Sequence, residues 1–599
     1  MTSQTSFDNT WTRVIVYVLA IAVPSLFAFS GWQPSPTLLN ELLAVAGWGG
    51  CLVLHKGMPP SGARRYAVVV LWAALGVMAV AVVGSWTFGS LPTSLALPPL
   101  GLLLVACVVA SLGARVAQEA RTEGLQAFAP FAIAMVIAGV LSAMVSIVQV
   151  FWPDLPDGNW VARSGLVGRA VGNLRQPNHL ASLLVWSVIA LVPLVEWRRI
   201  PRWLGGLVGA LLIFGVVLSG SRTGLYGGAG VLALWGLVDR RLAPSTRVFL
   251  LGTALVAGGV LAWGLAAQHG YLGGHTVGAA SRASEGDTGH GAIWANTLEM
   301  IQQQPLLGVG WGEFNFAWTL TPFVHRPTAF FDHTHDLPLQ LAVELGIPCA
   351  LVVLGLLVWA LAQGARRAWA TTGDAGHGAR AAWVMIAMIA VHSLDEYPLW
   401  YAYFLLPAAW AWGFTLGSGP APQPDALRGV ASGRSADSGT TLIHLSSEGV
   451  ALRWIGALMM LVAALATWDY YRVSTIFSDR EGLDPLAARI SAGQSSPLFA
   501  HHADYADATT AEPPSRALGA LERATHSLLD TRLMIAWATA LSESGQPDRA
   551  RYLVARLREF HKEKEEAAEF FAPCDDATIV DKPFQCQPAP KGLTWRDFR

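Results

Sequence analysis

The sequence predicts an all-α, polytopic membrane protein of about 12–13 transmembrane helices, with one long external loop and a C-terminal soluble helical domain. Three observations lead there. Hydrophobic residues make up 53% of the 599 and charged residues only 14%, where a soluble protein carries about 25%, and mean hydropathy is +0.42. The apolar residues gather into runs near the ~20 residues a bilayer requires of a helix. Lys and Arg concentrate in alternate connections, as membrane topology demands. The net charge of −1 leaves no footprint for nucleic acid.

Spans are expected at about 14–30, 37–55, 66–84, 95–113, 125–150, 178–196, 203–220, 223–239, 247–267, 337–363, 381–394, 399–417 and 452–471. The first run is followed by further spans and lacks a small-residue cleavage site, so no cleavable signal peptide is expected. With the N-terminus inside, the basic loops around Arg64, Arg121, Arg198, Arg240, Arg366 and Arg428 all fall inside, and the outer loops at about 31–36, 85–94 and 395–398 have no Lys or Arg. Residues 1–471 then form the transmembrane domain. They include a long outer loop at about 268–336 and an inner Gly/Ser/Pro-rich linker at about 418–449. Residues 472–599 form an outer helical domain, in which "ESGQPD" joins two amphipathic segments in the manner of a tetratricopeptide hairpin. Cys574 and Cys586 there could close a small disulfide loop.

Six arginines break the charge rule by lying outside: Arg163, Arg169, Arg175, Arg222, Arg282 and Arg326. Charge held near a membrane against that rule is functional by default. In "GRAVGNLRQPNHLASLL", Arg169, Arg175, Gln176 and Asn178 precede a helix start, where free N–H groups favour an anion. In "SGSRTG", Arg222 ends a span among small residues. In "VHSLDEYPLWYAYFLLP", His392, Asp395, Glu396 and Tyr397 share an outer turn. In "FDHTHDLPLQLAVELG", His333 and His335 are flanked by Asp332 and Asp336. That pattern could chelate a metal, but no third histidine has a fixed spacing nearby, and external arginines suit an anion. No metal and no cofactor are expected. A neutral histidine can take a proton from an attacking hydroxyl, while arginines hold phosphate. Glu344, nine residues beyond His335, is turned away from it on a helix and is expected to be a structural partner.

Together, "SGSRTG", "PLLGVGWGEF" and "HTHDLPLQLAVELG" resemble the bacterial O-antigen ligase and polymerase superfamily. "GNLRQPNHLA" and "EYPLWYAYFLLP", with the soluble tail, are similar to its PglL-type protein O-oligosaccharyltransferase branch. The resemblance implies metal-independent transfer of a glycan, at the periplasmic face of the inner membrane, from undecaprenyl pyrophosphate to Ser or Thr of an exported protein such as a pilin. The long loop and the tail are then periplasmic, and membrane lipids are partners. His335 matches the essential histidine and Arg222 the arginine that engages pyrophosphate. Arg175, Gln176 and Tyr397 fall in branch motifs, with Arg169, Asn178, Glu396 and His392 beside them as substrate-binding candidates and His333 and Asp336 as orienters. The superfamily often has an arginine ahead of the "IW" pair; here the segment reads "GHGAIW", and Arg282 is the alternative carrier of that contact. Alternatives are a ligase acting on lipid A core, a polymerase, or a lipid-sugar transporter or flippase. A transporter needs polar groups at mid-membrane on broken helices, whereas here they gather at outer helix ends.

One outcome follows for topology. A cysteine placed at Pro590 is expected to react with an impermeant maleimide in intact cells; protection until permeabilisation would overturn the thirteen-span order.

Overall fold

The structure, a computed structural model, describes residues 2–55, 67–123, 125–268, 278, 290–419, 438–562 and 565–599. Arg282 and most of the expected 418–449 linker lie outside these residues. Among them there is no strand. The membrane part begins with α1 (Thr2–Tyr17), which runs through a π-helical turn at Val18–Ala22 into Val23–Leu26. There follow α2 (Leu38–Leu54), α3 (Val69–Thr87), α4 (Thr93–Glu123), α5 (Leu125–Phe151), α6 (Pro177–Glu196) and α7 (Arg202–Ser219). A π-helical turn at Thr223–Gly227 opens α8 (Gly228–Val238), and α9 (Pro244–Gln268) follows. After the outer helices α10 (His290–Gln303), α11 (Phe314–Leu320) and α12 (Leu337–Leu345) come α13 (Ile347–Ala370), α14 (Gly373–His392), α15 (Ala402–Gly417) and α16 (Ser438–Ser474). The tail holds α17 (Leu486–Gln494), α18 (Ala500–Thr510), α19 (Leu518–Ala524), α20 (Thr531–Glu543), α21 (Pro547–Glu559) and α22 (Ala568–Asp575).

Eight of these helices are long and apolar enough to cross a membrane by length and composition, and three shorter apolar stretches lie at Thr10–Leu26, Leu38–Leu54 and Thr223–Val238. The protein is a multi-pass membrane protein. Burial separates two kinds of helix. In α6 the apolar window is 89% buried, whereas in α3, α9, α13 and α16 it is 22%. The exposed apolar faces suit hydrocarbon, whereas α6 is enclosed by α5, α7 and α14. α4 and α15 cross at backbone contact: a Cβ on Gly413 would lie 1.8 Å from the Ala110 carbonyl oxygen. Gly413 and Gly417 form the small-xxx-small spacing that permits such an approach. Beside this crossing Phe131 stacks on Trp410, with centroids 4.0 Å apart.

The two faces of the bundle differ in charge. Arg380 of α14 pairs with Asp239, just past α8, with both side chains buried. His392 ends the same helix twelve residues later, roughly 18 Å along the axis. The ion pair and the polar motifs therefore sit at opposite ends of the bundle.

Two expectations are corrected. The span at 337–363 is not continuous: α12 stops at Gly346 (φ 77°), and α13 starts afresh with Pro348 in its first turn. The cause is the Gly-rich "GVGWG" segment, which pairs with the end of α12 through Val309 N–H to the Val343 carbonyl and Gly310 N–H to the Glu344 carbonyl. α12 thus belongs to the outer layer, not to a span. The linker expected at 418–449 is helical from Ser438 onward, continuous with the last span; extending a helix costs far less than starting one.

The outer segment and the tail are not separate bodies either. Phe314, Phe316, Trp318 and Leu320 share one apolar core with Leu533, Trp537, Leu553 and Phe598. Arg326 lies over Trp318 and Phe560 and pairs with Glu559 at 3.0 Å. Its burial is explained by this packing. Tyr552 donates to the Leu320 carbonyl at 2.7 Å, and Cys574 and Cys586 are joined as a disulfide.

Gly346→Ala is expected to destabilise the fold by at least about 2 kcal/mol, because the added Cβ would lie 2.2 Å from the Leu306 carbonyl oxygen at a left-handed φ. Thermal unfolding in detergent checks this; an unchanged Tm would mean that the break is not fixed by this clip.

Candidate active site

His335 sits in the turn that precedes α12, with a left-handed backbone (φ 57°) unusual for a residue with a side chain. The turn is closed around it. Asp336 caps α12 by accepting from Leu339 N–H at 2.7 Å, and Thr334 N–H donates to Gln340 Oε1 at 2.8 Å. Asp336 is thereby committed to the cap, and burial raises its pKa above the usual carboxylate value. The motif's proline and aspartate aim the histidine.

His335 Nδ1 lies 2.7 Å from Glu396 Oε2. The other oxygen of Glu396 accepts from Asn178 Nδ2 at 2.8 Å. Three segments, from the outer loop, the turn after α14 and the first turn of α6, therefore meet at one carboxylate. A carboxylate at Nδ1 fixes the imidazole so that Nε2 is the free base, and it stabilises the imidazolium once Nε2 has taken a proton. Gln176 caps α6, accepting from His179 N–H at 2.7 Å, which holds Asn178 in place.

A second cluster adjoins the first. His290, at the start of α10, faces His335 with ring centroids 4.9 Å apart, and its Nδ1 is 3.5 Å from Asp395 Oδ1. Thr223 donates to Asp395. Burial works against the charged form of Asp395, yet donation from His290 and Thr223 lowers its pKa below the usual value. Arg222, exposed at the turn between α7 and α8, is the neighbour of Thr223 in the chain, which places it beside this cluster.

The aromatic side is formed by the 397–403 turn. His333 stacks on Tyr397 at 4.2 Å, and His335 meets Tyr397 edge-on at 4.9 Å. His333 pairs with Asp332 at 3.1 Å. Burial disfavours both charges, but their mutual attraction wins: Asp332 is held at about 2 and His333 above the ordinary imidazole value. Burial pushes the Tyr397 phenol well up, so it stays protonated.

The remaining predicted residues have structural partners. Arg169 is buried, with Nε and Nη2 donating to the Ser219 and Gly220 carbonyls at 3.2 and 3.3 Å, so it ties the "GRAVGN" loop to the end of α7. Arg175 adopts a left-handed φ of 60° and donates to the Ala28 and Gly158 carbonyls. His392 is buried one turn before Glu396, its Nδ1 2.8 Å from Ser182 Oγ. Glu344 is buried against Gln340 at 2.9 Å and the N–H groups of Gly312 and Phe314.

His290 has no mark in the sequence pattern, because it sits in a Gly-rich stretch with no periodicity. Its only signal is its place ahead of the "IW" pair, where the superfamily often has an arginine. His290, His335 and Glu396 also present ligand atoms within 4.8 Å of one another. Those donor types suit a metal, and the spacing of the motifs gives no sign of this grouping, although the 2.7 Å His335–Glu396 contact is that of a hydrogen-bonded pair.

The fold and these residues define a multi-pass membrane protein with a histidine–carboxylate site at one face. Family models described as O-Antigen ligase (residues 207–354), Protein glycosylation ligase (170–194) and Virulence factor membrane-bound polymerase, C-terminal (380–573) match the chain. It is 24% identical over 482 residues to the General O-oligosaccharyltransferase of Acinetobacter baylyi, covering 78% of each chain. It is 23% identical over 253 residues to the ComP-specific O-oligosaccharyltransferase of the same organism, covering 41% of this chain and 44% of that one. The resemblance read from the sequence is thus to O-oligosaccharyltransferases, which are glycosyltransferases, within the O-antigen ligase superfamily.

One pH dependence follows from burial. The Glu344 carboxyl is pushed from 4.5 up to about 7, chiefly by desolvation. The folded state therefore binds more protons than the unfolded state between these values, and stability falls as pH rises through that window. Glu344→Gln is expected to remove this slope, gaining of order 3 kcal/mol over the native chain at pH 8 and little at pH 4. Thermal unfolding at both pH values checks the sign.

Proposed function

We propose that the protein is an O-oligosaccharyltransferase of the bacterial inner membrane. It moves a preassembled glycan from undecaprenyl pyrophosphate to a Ser or Thr of a periplasmic or exported protein. The observation that carries this reading is the Asn178–Glu396–His335 chain. In the proposed step, His335 Nε2 takes the proton of the acceptor hydroxyl. The oxygen bonds to the anomeric carbon of the glycan, the bond from that carbon to the pyrophosphate oxygen breaks, and the electron pair leaves with the pyrophosphate. Arg222 stabilises the departing charge, and the imidazolium returns its proton to solvent. Glu396 and Asn178 are positioning residues, and Tyr397 forms the wall. Residues 1–471 carry the chemistry, and the periplasmic loop and 472–599 cover it. The O-Antigen ligase match over 207–354 favours a second reading, in which the acceptor is lipid A core.

One series of transfer assays, with purified donor and both acceptors, tests the mechanism. His335→Ala is expected to abolish transfer while membrane insertion persists; near-normal turnover would remove His335 from the mechanism. Glu396→Gln lowers kcat by about 10²–10⁴-fold with little change in KM, the range of a lost acid–base function. Arg222→Lys lowers kcat by at least about tenfold, because lysine lacks the bidentate fork. EDTA leaves the rate unchanged; a loss restored by one divalent metal would make His290, His335 and Glu396 ligands instead.

A further inference from the structure

A chamber of about 680 Å³, which Asp332 and Gln176 line on the side of the His335–Glu396 pair, lies between the membrane body and the tail. The body contributes Arg175, Gln176 and Tyr401, and the tail contributes His501, His502 and Tyr505 from one face and edge of α18. The His501 and His502 rings are in contact at a tilt of 51°, with centroids 4.1 Å apart. His501 Nδ1 is buried and lacks a hydrogen-bond partner among the described residues, which is costly unless a ligand or water supplies one. Aromatic rings connect this chamber to the base. His335 touches Tyr397, Tyr397 stacks on Tyr401 at 6.1 Å, and Tyr401 lines the chamber. Asp332, His501 and His502 line both this chamber and an adjoining groove of about 530 Å³ whose floor includes Leu71, Leu75, Leu102 and Leu103, so the two histidines stand at the boundary of the two spaces.

We propose that the chamber binds the oligosaccharide of the donor, with His501 and His502 hydrogen-bonding its hydroxyls and Tyr401 stacking on a sugar ring. This rests on the glycosyl-transfer reading above. The lining selects the ligand class. A lipid chain suits the leucines of the groove, whereas Arg175, Gln176, Tyr401, Tyr403 and Tyr505 line the chamber and not the groove, and His501 and His502 border both. A phosphate needs convergent cations, but the Arg175 guanidinium is already donating to two carbonyls, and Glu41 and Asp332 also line the chamber. Burial holds His502 at about 4 and His501 well below the ordinary value. At neutral pH each ring is therefore uncharged and offers one donor and one acceptor, which matches a hydroxyl. Aromatic faces carry negative charge toward the C–H face of a sugar.

Two measurements on the full-length protein test this. The first compares donors with one and three sugars on the same polyprenyl pyrophosphate. KM for the native chain is expected to be about tenfold lower for the longer donor, the worth of one or two hydrogen bonds. His501→Phe and His502→Phe, which keep a ring but lose the polar atoms, should abolish that difference and leave kcat for the one-sugar donor unchanged. A length dependence that is the same in the variants, or a native KM indifferent to length, would overturn the proposal. The second is saturation-transfer NMR with lipid-free oligosaccharide released from the donor, which needs no turnover. Signal present in the native chain and lost in both variants supports the chamber even if His335→Ala and native transfer assays refute the reaction. Signal unaffected by the substitutions, or absent from the native chain, counts against it.

Discussion

Everything at the site turns on one carboxylate. Glu396 accepts from Asn178 with one oxygen and pairs with His335 through the other, so residues 178, 335 and 396 are held at one point. A buried carboxylate with a lost partner is expensive, and this constrains the elements around it. The first turn of α6 must be capped by Gln176 to present Asn178. The turn before α12 must take a left-handed φ at His335 and a cap at Asp336. The turn after α14 must carry Glu396 back over His392. Strain at His335 and Arg175, the two site residues with positive φ, is what a surrounding structure of this kind can hold in place.

The outer layer supplies that holding. The "GVGWG" clip pins the end of α12, Glu313 pairs with His526 at 2.7 Å, and Asn315 accepts from Leu529 N–H at 3.0 Å. These contacts join the loop and the tail around a common apolar core, so the tail can add side chains to a cavity whose other wall is in the membrane body. A membrane enzyme acting on a lipid-linked substrate needs an apolar place for the lipid, a polar place for the head group and a barrier to water between them. The leucine-lined groove and the polar chamber share His501 and His502 on the tail side and meet at Asp332 on the body side. That carboxylate is tied to the aromatic wall of the site, because its ion-pair partner His333 stacks on Tyr397.

Much of this was legible from local pattern. Apolar runs disclosed the helices, and caps and prolines marked where α6 and α12 begin. His335, Glu396 and Asn178 stood in polar clusters at helix ends, where polar residues are costly without a purpose. Other features had no local signature. Gly346 breaks what reads as one long apolar run, because the break is made by a pairing with Val309 and Gly310. Arg169 and Arg326 read as functional arginines, yet their guanidinium groups are turned to carbonyls and to Glu559. His290 and His501 lie in stretches whose composition carries no periodicity.

The sequence by itself determined the class of the fold, the approximate spans and the set of polar motifs, because hydrophobic burial and helix capping act over a few residues and leave periodic traces. The tertiary structure alone decided which of those polar residues share a hydrogen bond, which arginines are bound to the scaffold, and that the tail closes over the site. Those outcomes depend on contacts between residues far apart in the chain, 218 positions for Asn178 and Glu396 and 233 for Arg326 and Glu559, and no local period records them.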